Sequence, residues 1–369
     1  MKRLVAALLV LVMAGSLTAC GAPKQEGKKN TKVSVFWYSE EDTYLGSVRD
    51  RLNTEFSGAG IRYENIFAAG NQSKQIDQIK AALNEGTDAL IVNQVTAGSL
   101  ATAEDIMIIA GDTPVIFFNR PIGTREDPDH RVFAKHDNAC FIGTDGPQAG
   151  KMQGMLIGGY VLEHYEDLDL NGDGLISYAM FQGDEADLEA IYRTQYSVED
   201  ADLILTANGR QPLQYFDPAA PEDHLYQADP DGAWSAASAR AFLEENLKTF
   251  REENNNMIEL IICNNDDMAE GAIAALQELG YNNGSGRVIP VFGVDATASA
   301  KALIAGGFMT ATVKQDAEGM AVAIRQTVEG IAEGKTPADA LAGLTDSRFS
   351  LDAECPSKLY ISYETYDVS

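Results

Sequence analysis

The sequence predicts an α/β protein in which two doubly wound parallel-sheet lobes share several crossovers of the chain. Short β-branched or aromatic runs alternate with helix-length amphipathic segments from Lys32 to about Glu333. This βαβ rhythm is typical of parallel sheets with helices on both faces. About 340 residues follow the N-terminal segment, too many for one mononucleotide-binding unit, and no linker divides them. We therefore expect two lobes with a ligand between them.

Residues 1–19 have the pattern of a secretory signal peptide. Lys2 and Arg3 precede an apolar run that is too short to cross ~30 Å of hydrocarbon, and small residues follow it. Residues 17–21 match a lipobox in which Cys20 is acylated; a chance cysteine after an ordinary cleavage site is the weaker alternative. Residues 20–30 are small and polar, typical of a flexible tether. We expect an extracytoplasmic protein, lipid-anchored to the outer face of the cell membrane, whose fold begins near Thr31.

The predicted strands and helices follow one another along the rest of the chain. Residues 72–85 place Ile76, Ile79 and Leu83 on one helical face. The predicted strands are residues 33–37, 61–66, 89–92, 115–118, 141–143, 175–181, 259–262, 288–294 and 309–313.

Polar side chains follow several of these strands. Asp42 comes shortly after the first strand, Asn93 after the third, Asn264 and Asn265 after Cys263, and Asp295 after Val294. A doubly wound sheet binds its ligand beyond the carboxyl ends of its strands. Each residue alone could be a helix N-cap. Together they favour a cleft for a hydroxyl-rich ligand.

The net charge and the cysteine content exclude several classes of partner. The formal net charge is −27, whereas nucleic acids and anionic membrane surfaces need basic patches. Beyond Cys20, three scattered cysteines give neither a metal-site spacing nor a disulfide framework.

Residues 169–177 resemble the first nine positions of a calcium-binding EF-hand loop. Asp169, Asn171 and Asp173 supply side-chain oxygens at positions 1, 3 and 5, with a carbonyl at Leu175 and a hydroxyl at Ser177. Position 12 is Met180, where an EF-hand has a glutamate, so a missing carboxylate must come from elsewhere in the chain. A plain Asp/Asn/Gly turn is the alternative.

The sequence contains no convincing catalytic motif. Gly150-Lys151 is followed by Met152, which excludes a P-loop, and the four histidines lack zinc spacing. Asp187 and Glu189 are two residues apart, so on a helix they do not face each other as a glycosidase pair would.

Longer stretches carry a family resemblance. They are residues 71–75 (NQSKQ), 77–79 (DQI), 115–119 (VIFFN), 143–145 (GTD), 264–266 (NND) and 289–295 (IPVFGVD). With them the sequence resembles the pentose/hexose periplasmic-binding-protein superfamily, and within it the galactose- and glucose-binding proteins, from about residue 32 to 313 and more loosely to the end.

The resemblance implies the type I periplasmic-binding-protein fold, in which a three-stranded hinge joins two lobes that close on a monosaccharide. It implies the substrate-binding lipoprotein of a bacterial ABC sugar importer, a monomer that docks on a membrane permease and not an enzyme. We expect a first lobe of residues 31–113 plus 317–348 and a second of 114–316 plus 349–369. The hinge crossings would then lie near Thr113-Pro114, Asp316 and residues 348–350.

Site residues are carried over position by position. Asp42 and Asp295 would accept hydroxyl protons, and Trp234 and Tyr44 would sandwich the sugar ring. At one side of the site, Asp187, Glu189 and Gln315 differ from the family's usual residues. The identity of the sugar therefore stays open between a differently substituted hexose, a pentose and an amino sugar. The implied ligand-binding residues are Asp42, Tyr44, Asn93, Asp187, Glu189, Arg193, Trp234, Asn265, Asp295 and Gln315. The implied calcium ligands are Asp169, Asn171, Asp173, the Leu175 carbonyl, Ser177 and, as the distant carboxylate, Glu259.

Two other functions stay open. A sugar sensor would present the same closed form to a membrane receptor. A secreted glycoside-processing enzyme would depend on Glu189 or Asp187. A sugar-responsive repressor of this fold is disfavoured, because it would need an N-terminal pair of DNA-binding helices and the lipobox occupies that place.

Overall fold

A computed structural model describes residues 31–125 and 128–367 of the chain. The predicted signal peptide, the predicted lipid attachment at Cys20 and the predicted tether lie outside the described residues. The chain from Thr31 onward forms one compact unit. Among the described helices, none combines the length and the apolarity needed to cross a membrane.

Strands and helices alternate along most of this unit. The strands are β1 (Lys32–Trp37), β2 (Arg62–Phe67), β3 (Ala89–Val92), β4 (Val115–Phe118), β5 (Ala139–Thr144), β6 (Ser177–Gln182), β7 (Gln214–Tyr215), β8 (Gln227–Ala228), β9 (Leu260–Cys263), β10 (Val291–Asp295), β11 (Ala311–Lys314), β12 (Phe349–Leu351), β13 (Lys358–Ile361) and β14 (Glu364–Tyr366). The helices are α1 (Thr43–Ala59), α2 (Gln72–Asn84), α3 (Leu100–Ala110), α4 (His130–Lys135), α5 (Gly146–Leu168), α6 (Leu188–Ala207), α7 (Ala236–Asn246), α8 (Asp266–Glu278), α9 (Ala298–Ala305), α10 (Ala317–Ala332) and α11 (Pro337–Ala342).

The strands form two sheets, one in each lobe. The first has the order β12-β13-β5-β4-β3-β1-β2, and the second has the order β14-β11-β10-β9-β6-β7 with β8 also paired to β6. All pairs are parallel except β12 with β13 and β11 with β14. The central strands β3, β4 and β9 are continuous apolar runs that are buried on both faces, as helices on both sides require. The prediction of two parallel-sheet α/β lobes is confirmed.

The expected lobe boundaries at 113/114 and 348/349 are wrong. Pro114 does not begin a crossing. Its carbonyl accepts the N–H of Leu90 in β3 at 2.9 Å, and the chain continues directly into β4 of the first sheet. Residues 349–351 likewise stay in that sheet as β12, paired with β13. The first lobe therefore extends to β5 and ends with β13.

The chain crosses between the lobes at three places. The crossings lie between β5 and α5, between β11 and α10, and between β13 and β14. The first lobe thus comprises residues 31–144 and 317–361, and the second residues 146–314 and 364–367. The carboxyl ends of the parallel strands in both sheets face the space between the lobes.

Candidate functional site

A cleft lies between the lobes, at the carboxyl ends of the parallel strands. Every predicted ligand-binding residue except Asn93 lines it, and three residues that sequence reasoning missed lie beside them. The lining residues are Tyr38, Asp42, Tyr44, Asn119, Arg120, Asp187, Glu189, Arg193, Trp234, Asn265, Asp295 and Gln315.

Asn93 does not line the cleft and is a correction to the predicted site. Its side chain is fully buried beneath the cleft floor. Its amide accepts from the Tyr38 N–H at 3.3 Å and donates to the Phe118 carbonyl at 3.2 Å, so it ties the ends of β1 and β4 together. The first-lobe asparagine that lines the cleft is Asn119, which directly follows β4. The missed residues had a readable signal, because Tyr38, Asn119 and Arg120 each follow the carboxyl end of a strand.

Aromatic side chains from both lobes face the cleft. Tyr44 comes from the first turn of α1 in the first lobe, and Trp234 precedes α7 in the second. Trp234 has a left-handed backbone, with φ of 57°, and the Asn265 amide donates to its carbonyl at 3.1 Å. Its indole lies so close to Gly183 that a Cβ there would stand 2.2 Å from the ring. The strained backbone and the glycine together fix the plane of the indole.

Arg193 is the centre of a buried polar network at one side of the cleft. Its Nη2 donates to Glu189 at 3.1 Å, to Gln315 at 3.1 Å and to the Tyr363 hydroxyl at 3.0 Å. Thr144 donates to the other oxygen of Glu189 at 2.8 Å. Burial raises the pKa of Glu189 above its usual range, although Arg193 opposes the shift. The longer side chains of Glu189 and Gln315 are therefore held by protein partners.

One donor of this network has no partner among the described residues. Arg193 is 3% exposed, and its Nε is buried without a hydrogen bond. A buried unpaired donor costs about 1–3 kcal/mol unless a ligand or water accepts from it. Arg193 lines the cleft, and a ligand oxygen or a water that reached Nε would satisfy this donor.

Two carboxylates face the cleft from opposite lobes. Asp42 caps α1 by accepting the Leu45 N–H at 2.7 Å and accepts the Tyr38 hydroxyl at 2.8 Å. Asp295 is buried at the end of β10, with Arg193 Nη1 3.9 Å away. Burial raises the pKa of Asp295 well above its usual range, Arg193 opposes the shift, and neighbouring carboxylates including Asp42 add to it. Donors on a ligand would satisfy both acceptors.

Asp187 makes its contacts with protein rather than with open cleft. It is the N-cap of α6, where one carboxylate oxygen accepts the Glu189 N–H at 3.0 Å. The other oxygen accepts from Arg120 Nε of the first lobe at 3.1 Å. The charge that Asp187 introduces is thereby neutralised across the cleft.

The chain matches the periplasmic binding protein domain over residues 33–336. It belongs to the periplasmic binding protein family. Among its relatives, the D-galactose/methyl-galactoside binding periplasmic protein of Haemophilus influenzae is 30% identical over 319 residues, covering 86% of this chain and 86% of that protein. The ribose import binding protein of Bacillus subtilis is 21% identical and covers 91% of this chain and 95% of that protein.

Solved structures share the fold of this periplasmic binding protein. A solute-binding protein of Clostridium phytofermentans with bound β-D-glucose superposes with a TM-score of 0.67 at 16% identity, covering 91% of this chain and 94% of that one. The myo-inositol binding protein of Caulobacter gives 0.64 at 22% identity, covering 92% and 94%. The family is extracytoplasmic and its members are transport proteins that bind solutes, so this chain is a binding protein and not an enzyme.

The predicted calcium loop of this periplasmic binding protein lies in the second lobe, away from the cleft. The Asp169 carboxylate accepts the N–H groups of Gly172, Asp173 and Gly174 at 2.8–3.1 Å, which curls the loop around its oxygens. Among the described residues, no three acidic, histidine or cysteine side chains stand close enough together to hold a metal by themselves. Asparagine and carbonyl oxygens would have to complete a site.

Glu259 closes this loop from a distant part of the chain. Its carboxylate is 1% exposed and accepts the N–H groups of Leu170 at 2.7 Å and Ser177 at 2.8 Å. Ser177 directs its hydroxyl to the Met257 carbonyl at 2.7 Å, and so binds protein. The oxygen donors of the loop and of Glu259 fit the chemistry of Ca²⁺.

Proposed function

We propose that this protein is the sugar-binding component of a bacterial ABC importer, in which two lobes close on a monosaccharide of the galactose or glucose class. The observation that carries the proposal is the pairing of Tyr44 and Trp234 from opposite lobes around a buried cleft with polar edges. Pyranose rings present apolar C–H faces and a rim of hydroxyls, which suits this arrangement.

The polar groups of the cleft complement such a ring. Asp42 and Asp295 accept from hydroxyls on two sides, and Arg193 Nε donates to an oxygen between them. The named ligands of the similar proteins, which include D-galactose, ribose, β-D-glucose and myo-inositol, are all polyols and support the class.

Calorimetric titration of the fragment beginning at Thr31 with hexoses, pentoses and amino sugars tests the proposal. We expect one unmodified monosaccharide to bind tightly, and Trp234→Ala to weaken it by at least about 100-fold through loss of the ring contact. The matched control is Trp37→Phe, which alters the other tryptophan, buried in the first lobe and bonded to Asn65. Failure of all sugars to bind, or their chemical conversion, would contradict the proposal.

We also propose that calcium binds the loop of residues 169–177. Asp169, Asn171, Asp173, the Leu175 carbonyl and Glu259 would hold the ion, which would supply structural stability to the second lobe. The Tyr165 hydroxyl donates to the Gly174 carbonyl at 2.7 Å, so terbium in the loop would be excited through this tyrosine.

Terbium luminescence and thermal unfolding test the calcium proposal. We expect tyrosine-sensitised emission that calcium displaces, and a melting temperature that falls in chelator. Glu259→Gln should remove both effects, whereas Glu333→Gln, at an exposed position of the first lobe, should remove neither. Absence of emission together with chelator-independent melting would reject the site.

Lipid anchoring through Cys20 is the third part of the proposed function. Incorporation of labelled palmitate in the native host tests it, with Cys20→Ser expected to abolish the label and release the protein from the membrane fraction. Cys355→Ser, at a buried cysteine of the folded part, serves as the control. Label that persists in Cys20→Ser would refute the anchor.

A further inference from the structure

Arg120 lines the cleft but all its contacts are with protein. It follows β4 in the first lobe and is 5% exposed. Its Nη1 donates to the Val95 carbonyl at 2.7 Å, and its guanidinium lies 4.4 Å from the centre of the Tyr38 ring. These contacts within the first lobe fix the direction in which the guanidinium points.

The remaining donors of Arg120 cross to the second lobe. Nε donates to Asp187 at 3.1 Å and Nη2 donates to Asp184 at 2.5 Å. Asp184 also accepts the Ala186 N–H at 2.9 Å, and Asp187 caps α6, so the backbone holds both carboxylates in place. The guanidinium therefore binds two preoriented acceptors whenever the lobes are together.

We propose that Arg120 is a positioning residue for closure, which joins the lobes through Asp184 and Asp187 without contacting the ligand. This inference rests on the proposed ligand-driven closure of the lobes. When the lobes separate, all three charged groups return to water; when they close, the contacts reform and stabilise the closed arrangement whether or not a ligand is present.

The proposal makes a distinctive prediction about affinity. A residue that acts only on the balance of open and closed forms scales the dissociation constant of every ligand by the same factor. A residue that donates to the ligand changes the dissociation constants of epimers by different factors. Arg120→Met, which keeps the length of the side chain and removes the charge, separates the two roles.

The experiment measures D-galactose and D-glucose binding by calorimetry, and dissociation by stopped-flow tryptophan fluorescence. We expect Arg120→Met and Asp187→Asn each to weaken both sugars by a common factor of about 10, mainly through faster dissociation, and the double variant to be little worse than either. The control is Arg325→Met, which removes an arginine paired with Glu55 and Glu329 inside the first lobe. It should leave both dissociation constants unchanged.

Small-angle X-ray scattering of the unliganded protein tests the role of Arg120 without any sugar. We expect a larger radius of gyration for Arg120→Met than for the wild type. Three outcomes would overturn the proposal. They are a loss of affinity that differs between the two sugars, a double variant whose loss equals the sum of the two single losses in free energy, and equal radii of gyration for Arg120→Met and the wild type. If the wild type bound neither sugar, the proposed sugar specificity would fail, and the scattering comparison would still decide the role of Arg120.

Discussion

Gly183 determines where the indole of Trp234 lies. This glycine directly follows β6, and a side chain there would overlap the ring, with a Cβ at 2.2 Å. Because Trp234 already has a left-handed backbone, it cannot move away without further strain. The glycine is thus part of the binding surface although it offers no functional group.

Gly183→Ala should therefore weaken sugar binding without removing any side chain. We expect a loss of about 10-fold or more, because the displaced indole no longer lies parallel to the sugar ring. Calorimetry measures the affinity, and near-ultraviolet circular dichroism reports the environment of the indole. Gly159→Ala is the control, since its Cβ would meet nothing within 4 Å on α5; binding that is equally strong in both variants would show that the indole is free to move.

Helix α8 of the second lobe carries a carboxyl group with a raised pKa, and this group lies beside residues of the first lobe. Asp267 lies in its first turn, where burial raises its pKa to about 6, a hydrogen bond from Thr43 of the first lobe opposes the shift, and Asp42 adds to it. The folded protein thus holds this proton up to about pH 6, whereas the unfolded chain releases it near pH 4. The contribution of Asp267 to the free energy of unfolding therefore falls as the pH rises between those values.

Asp267→Asn should remove that dependence. We expect the variant to gain on the order of 1 kcal/mol in the free energy of unfolding at pH 7, after allowance for the partial exposure of the group, and to gain little at pH 4. Urea unfolding at several pH values gives the measurement. Asp105→Asn, at an exposed position of α3, should follow the wild-type curve; parallel curves for all three proteins would disprove the assignment.

The elements and most of the cleft could be predicted from the sequence, but several partnerships could not. The buried apolar runs of strands such as β3 and β9 are visible in the local sequence, and they were enough to predict those strands. The assignment of Asn93 to the site failed because Asn93 and Asn119 both follow a strand, and only packing decides which amide faces outward. The lobe boundaries at 113/114 and 348/349 failed because the strands that lie side by side, such as β13 and β5, are distant in the sequence.

The pairing of Asp187 with a residue of the other lobe could not be predicted from the sequence either. Its pairing with Arg120 joins residues 67 positions apart and in different lobes. Burial and Arg120 determine what its charge does, and neither is visible in a local pattern. The same holds for Glu189 and Gln315, whose partners come from both lobes and from the crossings between them.

On the scale of the whole molecule, the backbones of the two lobes come close together at Gly98. A Cβ at this first-lobe residue would lie 2.7 Å from the Ala186 carbonyl oxygen of the second lobe. No ligand group is involved, because neither residue lines the cleft. Gly98 therefore permits a degree of closure that any other residue would prevent.

Gly98→Ala should hold the lobes apart. We expect weaker binding of every sugar and a larger radius of gyration at saturating ligand. Gly98 also has a positive φ, of 64°, so the control is Gly60→Ala, with φ of 70° and ψ of 27° in the same lobe and no atom within 4 Å of its Cβ. Both variants should lose similar stability, about 1 kcal/mol, and only Gly98→Ala should change the scattering; identical scattering would remove Gly98 from the closure.

The three crossings of the chain also determine the order in which the lobes can be completed. The first lobe begins the polypeptide, yet its sheet needs β13 beside β5, and its helical layer needs α10 against α1. The second lobe has nearly all of its strands once β11 has been made. At that point in synthesis, the lobe that starts first still lacks α10 and β13, whereas the second lobe lacks only its edge strand β14. A chain that ends after β11 would therefore leave the N-terminal lobe, and not the C-terminal one, without its core partners.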